Sequence, residues 1–183
     1  MSLVLITGCM FSGKTTELLK RIRKSKKNDK AICIISHSFD TRYQVNRVCS
    51  HDNDFEDSHI VCSHLFKRSV FKTTKFINAS HVFIEEAQFF PDLLNFCKYT
   101  VKTLNKNLIV SGLDGDYNME PFMNIVSLVP FADKVIKLKA KCMICNDDAH
   151  FTKLLKKYEI EDDKNNIIVG GTDKYMSVCR VHH

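Results

Sequence analysis

The stretch "GCMFSGKT" (Gly8–Thr15) fits the pattern G-x-x-x-x-G-K-[ST] and follows a short apolar run, Leu3–Thr7. Apolar residues at helical spacing come soon after it, at Leu18, Leu19 and Ile22, and predict a helix. A glycine loop between a strand and a helix turns its backbone N–H groups toward phosphate oxygens, and the helix N-terminus adds partial positive charge. The stretch therefore predicts a P-loop nucleotide site, and a chance glycine turn is the less favoured alternative.

The residue types within this loop suggest separate tasks. Lys14 is expected to reach the β- and γ-phosphates of ATP, and the hydroxyl of Thr15 is expected to ligate Mg²⁺. The residues predicted to bind the phosphates are Gly8, Cys9, Met10, Phe11, Ser12, Gly13, Lys14 and Thr15.

Further apolar runs predict the rest of a sheet. Ala31–Ser36, His81–Glu86 and Asn107–Gly112 are typical of buried strands, and Lys134–Leu138 predicts a weaker one. A helix is expected from Pro91 onward, because proline suits the first turn of a helix. Strands of near-continuous apolar character, separated by helices, indicate a parallel sheet covered on both faces. The predicted fold class is α/β, with a P-loop NTPase-like parallel sheet covered by helices.

Two acids, Glu85 and Glu86, end the predicted strand at His81–Glu86. Ligands of α/β sheets bind in the crevice at the carboxyl ends of the strands, and successive strand residues point to opposite sides. One acid could therefore hold Mg²⁺, directly or through water, while the other accepts a proton from an incoming hydroxyl. Two exposed acids at a strand end are the alternative, and this stretch alone does not favour either reading.

Cysteine and histidine cluster near the C-terminus of the sequence. Two knuckles with two-residue spacers are formed by Cys142, Cys145, Cys179 and His182. Paired knuckles of this spacing are typical of a closed tetrahedral site for structural zinc. His183 is the rival fourth ligand and His150 a more distant one. The alternatives are a solvated tail or the remnant of an affinity tag.

Composition changes near residue 140, which predicts an α/β nucleotide-binding domain over 1–139 and a small zinc-stapled domain over 140–183. The polar region 40–74 contains "CSHDNDFEDSH" (Cys49–His59), which is typical of a surface loop. The basic run Lys20–Lys30 could bind nucleic acid or polyphosphate. It has no interleaved aromatic residues, so the solvated face of a helix is the favoured reading.

The composition limits the class of protein. The 183 residues carry a net charge of +6, from 27 basic and 21 acidic residues, and are long enough for one core with a small appendage. No apolar stretch approaches the ~20 residues of a membrane span, and the N-terminus lacks the features of a signal peptide. Five of the eight cysteines are scattered singly, which is ordinary for a reducing compartment. A cytoplasmic protein is expected, with no membrane and no nucleic acid as partner.

Taken together, these stretches resemble the small zinc-containing (type II) thymidine kinases of animals, bacteria and large DNA viruses. The matching stretches appear in the order usual for that family, over essentially the whole chain. They are "GCMFSGKTTEL", "DTRY", "EEAQFFPDLLNFC", "GLDGDY", "PF" (Pro121–Phe122), "LVPFAD", "CMIC", "FTK" and "VGGTDKYMSVCR".

The resemblance implies transfer of the γ-phosphoryl group of ATP to the 5′-hydroxyl of thymidine or deoxyuridine. It implies that Glu86 is the general base, with Lys14 and Arg42 also catalytic, and that Glu85 is the Mg²⁺-associated acid. Asp40 and Arg42 match residues near the phosphate-acceptor end of the nucleoside. A homotetramer and feedback inhibition by dTTP are likewise implied.

The same resemblance assigns a pocket around thymine and a "lasso" loop that grips the base through its backbone. The pocket positions are Met10, Phe89, Leu113, Tyr117 and Phe122. The lasso positions are Thr152, Asn166, Ile167, Ile168, Val169, Gly170 and Tyr175, and the zinc knuckles match the ligands that anchor this loop. The chain departs from the family's usual pattern, which has Asp at Glu85, Gly at Ala87 and Cys at His182. The lasso is also several residues longer than usual.

Overall fold

The computed structural model describes residues 1–39, 46–50, 54–155 and 170–183. Twelve strands lie in these ranges: β1 (Ser2–Gly8), β2 (Ile32–His37), β3 (Arg47–Cys49), β4 (Phe55–Asp57), β5 (Ile60–Cys62), β6 (His81–Ile84), β7 (Asn107–Gly112), β8 (Lys134–Leu138), β9 (Ala140–Lys141), β10 (Asp148–Ala149), β11 (Phe151–Leu154) and β12 (Tyr175–Val178). The α-helices are α1 (Lys14–Lys27), α2 (Arg68–Lys72), α3 (Thr74–Asn78), α4 (Leu93–Lys102) and α5 (Met123–Val126). Three short 3₁₀ turns lie in the same ranges, at Ala87–Phe89, Val129–Phe131 and Arg180–His182.

A six-stranded sheet with strand order β5-β2-β6-β7-β1-β8 forms the centre of the protein. Every neighbouring pair in it is parallel, so the strands end at a common edge. The strands and helices predicted from the apolar runs are confirmed to within a few residues. The strand predicted at His81–Glu86 stops at Ile84, because Glu86 takes a left-handed backbone conformation with φ 50°.

Apolar residues cover both faces of this sheet, as the α/β class requires. Alternate residues of β1 point to opposite faces, so Leu3 and Leu5 join one apolar cluster while Ile6 joins another. Phe96 of α4 packs in the first cluster, and Leu18 of α1 packs in the second. The predicted α/β fold with a parallel sheet covered by helices is therefore confirmed.

The basic run is the outer face of α1, and part of it pairs with acids. The Arg23 guanidinium donates to both carboxylate oxygens of Asp54, at 2.7 and 2.5 Å, and Lys26 Nζ donates to Glu56 at 2.5 Å. Single exposed ion pairs contribute at most about 1 kcal/mol, but several at one place can fix a segment against a helix. Arg23 and Lys26 are therefore committed to contacts within the chain.

The prediction of a surface loop at Cys49–His59 is wrong in part, because among the described residues of that stretch Cys49 and Phe55–Asp57 lie in strands. Strands β3 and β4 pair antiparallel as a hairpin, and the Arg47 guanidinium lies 4.1 Å from the centre of the Phe55 ring. Strand β5 extends the parallel sheet beside β2. Strands of three residues show too little alternation to be recognised. The hairpin is held to α1 by buried Val48, which packs with Leu18, and by the ion pairs to Arg23 and Lys26, and these contacts are distant in sequence.

After β8 the described chain forms short antiparallel pairs, β9 with β10 and β11 with β12. Their side chains build a small apolar cluster that includes Ala149 and Val178 and also reaches Cys9 of the glycine loop. The C-terminal strands therefore pack directly against the loop that follows β1. Across the described ranges, no helix combines the length and apolar character needed to cross a bilayer.

Two glycines of the loop after β1 have different physical reasons to be glycine. Gly8 has φ +144°, and a Cβ there would lie 2.5 Å from the carbonyl oxygen of Leu138. Gly13 has φ +81°, but a Cβ there would meet nothing within 4 Å. We expect Gly8→Ala to lower the free energy of unfolding by about 2 kcal/mol or more, through both strain and overpacking. Gly13→Ala should cost about 1–2 kcal/mol, from backbone strain alone.

Urea denaturation of the two alanine variants measures both costs. Equal losses in the free energy of unfolding would mean that the contact with Leu138 relaxes at little cost. The positive φ alone would then determine the loss of stability.

Candidate active site

The loop between β1 and α1 is stabilised by its own hydrogen bonds. The Ser12 hydroxyl and the Lys14 ammonium both donate to the carbonyl oxygen of Cys9, each at 2.8 Å. Burial lowers the pKa of Lys14, and the charges of Glu86 and Glu85 oppose that shift. The ammonium therefore lies over the loop and close to both acids, where it can attract a phosphate group.

Glu85 is a buried acid, with 6% of its surface exposed. The Thr15 hydroxyl, in the first turn of α1, donates to Glu85 Oε1 at 2.5 Å. Burial and the neighbouring charge of Glu86 raise the pKa of Glu85 to about 7, against the opposing effects of the Thr15 hydroxyl, Ser111 and Lys14. A buried carboxyl whose ionisation is this costly is well suited to a cation that would favour its charged form.

The same place has oxygen atoms that lack partners. Among the described residues, Glu85 Oε2 and the Ser111 hydroxyl are buried and make no hydrogen bond of ordinary geometry. Together with the Thr15 hydroxyl they form a set of hard oxygen donors, which is the donor type that Mg²⁺ prefers. The residues present therefore fit a magnesium ion bound with nucleotide phosphates.

Glu86 lies beside this group, at the start of the turn Ala87–Phe89. Its carboxylate oxygen Oε2 accepts a hydrogen bond of 2.5 Å from the side-chain amide of Gln88. Gln88 is 3% exposed, and its Oε1 accepts from the backbone N–H of Leu113 at 3.1 Å. Gln88 was not among the residues predicted from the sequence, where its place two residues after a candidate base was the only signal. Ala87, where the family usually has glycine, is fully buried in the main core.

A further apolar cluster, separate from the two that cover the sheet, lies over the glycine loop. It contains most of the predicted thymine pocket. Its members are Met10, Leu154 and Tyr175, with Phe11, Leu113 and Tyr117 packed against them. The rings of Tyr117 and Tyr175 have centres 6.3 Å apart. The backbone N–H of Met10 donates to the Thr152 hydroxyl at 3.0 Å, which joins the glycine loop to β11.

The remaining predicted pocket positions lie elsewhere or beyond the described ranges. Phe89 packs its ring 5.6 Å from His37 and 5.5 Å from Phe39, between ring centres, and Phe122 packs against the main core. Gly170 lies at the start of the last described range. The predicted residues outside the described ranges are Asp40, Arg42, Asn166, Ile167, Ile168 and Val169.

The two described ends of the predicted lasso meet at its base. Strands β11 and β12 pair antiparallel, and the backbone N–H of Leu155 donates to the carbonyl of Lys174 at 2.8 Å. The positions that flank residues 156–169 are therefore held together by β-pairing.

The predicted metal ligands lie together. The ligand atoms of Cys142, Cys145, Cys179 and His182 are all within 4.8 Å of one another. The Cys145 and Cys179 sulfurs are 3.7 Å apart, and His182 Nδ1 is 3.7 Å from the Cys142 sulfur. Tetrahedral coordination at ordinary zinc–sulfur distances requires about 3.8 Å between sulfurs, so this cluster could hold a metal ion.

The rival ligand His183 points away from that cluster. Its Nε2 lies 3.0 Å from the carbonyl oxygen of Tyr117, and its ring meets Phe151 edge to face, with 5.7 Å between ring centres. Lys153 Nζ donates to the carbonyl oxygens of both His182 and His183, at 2.9 and 3.0 Å. The last residues therefore pack on β11 and on the segment of Tyr117.

This arrangement defines an α/β protein with a P-loop-like fold, a glycine loop after β1, an adjacent acid pair and an apolar cluster over the loop. The sequence profile described as "Thymidine kinase" matches residues 1–183. The thymidine kinase of Yaba monkey tumor virus is 41% identical, over 97% of this chain and 91% of its own. The cytosolic thymidine kinases of Homo sapiens and Gallus gallus are 38% and 37% identical, over 96% of this chain and 70% and 73% of theirs. The chain belongs to the thymidine kinase family, and its resemblance to the type II enzymes is confirmed.

The raised pKa of Glu85 predicts a pH dependence of stability. Its pKa is about 7 in the folded protein against an ordinary 4.5, so between these values the folded chain holds a proton that the unfolded chain releases. The contribution of Glu85 to the free energy of unfolding is therefore complete below about pH 4.5 and falls as the pH rises through 7. Glu85→Gln removes this loss, so the variant should gain stability relative to the parent between about pH 5 and 8.

Urea denaturation without nucleotide, in the presence of a chelator, measures the difference. Glu120→Gln is the matched control, because Glu120 is exposed and should shift stability by a similar amount at each pH. Parallel pH profiles for the parent and Glu85→Gln would contradict the expectation.

Proposed function

We propose that this protein transfers the γ-phosphoryl group of ATP to the 5′-hydroxyl of thymidine, and of deoxyuridine, to give dTMP and dUMP. The observation that carries the proposal is membership of the thymidine kinase family over residues 1–183. The site described above supplies the groups that phosphoryl transfer needs, since that reaction depends mainly on positioning and charge stabilisation.

The glycine loop is the proposed phosphate site. Its backbone N–H groups and the α1 N-terminus face the phosphates, and Lys14 exchanges its bond to the Cys9 carbonyl for phosphate oxygens. The Thr15 hydroxyl and the Glu85 carboxylate would hold Mg²⁺ when ATP is bound. That ion supplies neutralisation of the phosphate charge.

Glu86 is the proposed general base, accepting the proton of the 5′-hydroxyl. It lies at the end of β6, next to the proposed magnesium ligand and near the Lys14 ammonium. A carboxylate is a competent base here because the alcohol proton is lost as the new O–P bond forms. Asp40 and Arg42 are proposed to act at the same end of the nucleoside.

The apolar cluster of Met10, Leu113, Tyr117 and Tyr175 is the proposed floor and wall of the thymine pocket. The lasso, from Thr152 to Tyr175, is proposed to close over the base and to bind it through backbone groups. Phe89 and Phe122 remain proposed pocket residues. The base would have to contact them at the edge of the main core.

The Cys₃His cluster is the proposed structural zinc site. Zinc is the expected metal because three thiolates and one imidazole form a common structural zinc set, closed to substrate. All four residues of this cluster follow residue 140. We therefore propose a division into a nucleotide-binding domain over 1–139 and a zinc-stapled lasso domain over 140–183.

Family membership also supports a homotetramer in the cytoplasm, inhibited by dTTP, with neither membrane nor nucleic acid as partner.

The alternative of an ATPase acting on nucleic acid rests on the basic run, and two of its cations already pair with Asp54 and Glu56. A zinc-ribbon binding module without turnover is the other alternative. ADP release that depends on thymidine, measured over a panel of nucleosides and with DNA, separates the kinase from both. ADP release stimulated by DNA alone would overturn the proposal.

Glu86→Gln should lower kcat by about 10²–10⁴, because that is the usual worth of a general base. The affinity for ATP should stay near that of the parent, since the phosphate loop is untouched. The coupled ADP assay gives kcat, and calorimetric titration with a non-hydrolysable ATP analogue gives affinity. If Glu85→Gln is the more damaging change and Glu86→Gln is nearly silent, the two acids have been assigned the wrong way round.

Substitutions at the metal cluster test its ligand set. The purified protein should carry one zinc per chain, and His182→Cys should retain it because a Cys₄ set has the same tetrahedral geometry. His182→Ala should lose the metal or hold it weakly, and should raise KM for thymidine more than KM for ATP. His183→Ala is the control for metal content, because its ring contacts Tyr117 and Phe151 instead.

Elemental analysis of the three variants decides the assignment. Zinc that persists in His182→Ala but is lost from His183→Ala would move the fourth ligand one residue along. Zinc absent from the parent would leave the cluster without a structural metal.

A further inference from the structure

The side chain of Gln88 is bound at both ends of its amide, deep in the protein. Nε2 donates to Glu86 Oε2 at 2.5 Å, and Oε1 accepts from the Leu113 N–H at 3.1 Å. The backbone carbonyl of Gln88 accepts a further bond, of 3.0 Å, from Asn124 Nδ2. Three segments of the chain therefore meet at one residue that is 3% exposed.

The orientation of this amide follows from the chemistry of its partners. The backbone N–H of Leu113 can only donate, so the oxygen of the amide must face it. The amino group is then left to face Glu86, whose carboxylate can only accept when charged. A rotated amide would place its amino group against the Leu113 N–H and its oxygen against the Glu86 carboxylate. Donor would then face donor and acceptor would face acceptor, which is costly in a buried position.

The end of β7 is shaped to admit this amide. A Cβ on Gly112 would lie 2.6 Å from Ile125 Cδ1, 2.9 Å from Gln88 Oε1 and 3.2 Å from the Gln88 backbone nitrogen. Glycine at this position therefore leaves the space in which the amide reaches the Leu113 N–H. Leu113 in turn packs against the apolar cluster that contains Met10 and Tyr175.

The Glu86 carboxylate is the group whose position this arrangement controls. Glu86 is only half-buried, follows the end of β6, and has a left-handed backbone with φ 50° and ψ 43°. A general base acts only within hydrogen-bond reach of its proton, and a displacement of about 1 Å can cost about 10²-fold in rate.

We infer that Gln88 is a positioning residue for catalysis: it holds the Glu86 carboxylate at the reacting hydroxyl and ties it to the Leu113 wall of the nucleoside pocket. This inference rests on the proposed role of Glu86 as general base. Through the Leu113 N–H, one rigid amide sets the distance between the base and the pocket that places the nucleoside. Gln88 itself touches neither substrate nor phosphate in this role.

Gln88→Met tests the inference, because methionine has nearly the same shape and neither donates nor accepts these bonds. We expect kcat to fall about 10-fold to 10²-fold, with KM for ATP within about twofold of the parent. Gln88→Glu is the second variant: it keeps an oxygen for the Leu113 N–H but replaces the amide donor by a carboxyl that competes with Glu86 for a proton. It should lower kcat by at least as much, because two carboxyl groups then face each other.

Asn124→Ala is the matched control. It removes the bond to the Gln88 backbone carbonyl and leaves both ends of the amide intact, so kcat should stay within about twofold. Thermal unfolding of all variants checks the fold. If Gln88→Met is unfolded, Gln88→Glu carries the test, because it keeps both the shape and the Leu113 bond.

The decisive measurement repeats Gln88→Met in a Glu86→Gln background. Because the amide acts through Glu86, its loss should change kcat less than about twofold there, and the two effects should be far from additive. A similar loss of kcat in both backgrounds, or a change confined to KM for thymidine, would overturn the inference and leave Gln88 a structural residue of the pocket. If Glu86→Gln alone costs 10²-fold or more while Gln88→Met is silent, only the inference fails. A silent Glu86→Gln removes the proposed base and the inference together.

Discussion

Parallel pairing of β1 with β7, and of β7 with β6, determines where every polar group of the site lies. The register brings the carboxyl ends of three strands to one edge, so the glycine loop, the acid pair and Leu113 become neighbours. None of these groups is close to the others in sequence. Once the register is set, the bond from the Thr15 hydroxyl to the Glu85 carboxylate joins the first turn of α1 to the end of β6.

Much of this fold could be predicted from the sequence because buried parallel strands are almost wholly apolar. Runs such as Asn107–Gly112 and the helix that begins near Pro91 needed no tertiary information to be recognised. The hairpin of β3 and β4 was missed for the opposite reason. Its strands are only three residues long, and ion pairs with Arg23 and Lys26 connect it to α1. Such contacts between distant residues leave no pattern in the local sequence.

The site shows the same division between pattern and tertiary contact. Spacing was enough to group the cysteines with a nearby histidine, because metal geometry restricts ligand spacing. It left His183 as a rival of His182, and the structure brings Cys142, Cys145, Cys179 and His182 together. Spacing could not reveal that the Gln88 amide joins Glu86 to Leu113, since that arrangement depends on the register of β7 against β6. Spacing also could not show that Phe122 packs against the main core and Phe89 against His37. Neither of them packs in the cluster around Met10.

The glycine loop and the C-terminal strands depend on each other physically. The Met10 N–H donates to the Thr152 hydroxyl, and the Cys9 thiol lies 3.5 Å from the carbonyl oxygen of Ala149. The Met10 N–H is thus directed toward β11, so this part of the loop backbone is engaged by the C-terminal strands. The loop thus uses one part of its backbone to bind the C-terminal strands, and in the proposed function the part next to α1 faces the nucleotide. Because both parts belong to one short turn between β1 and α1, the backbone itself links the C-terminal strands to the proposed phosphate site.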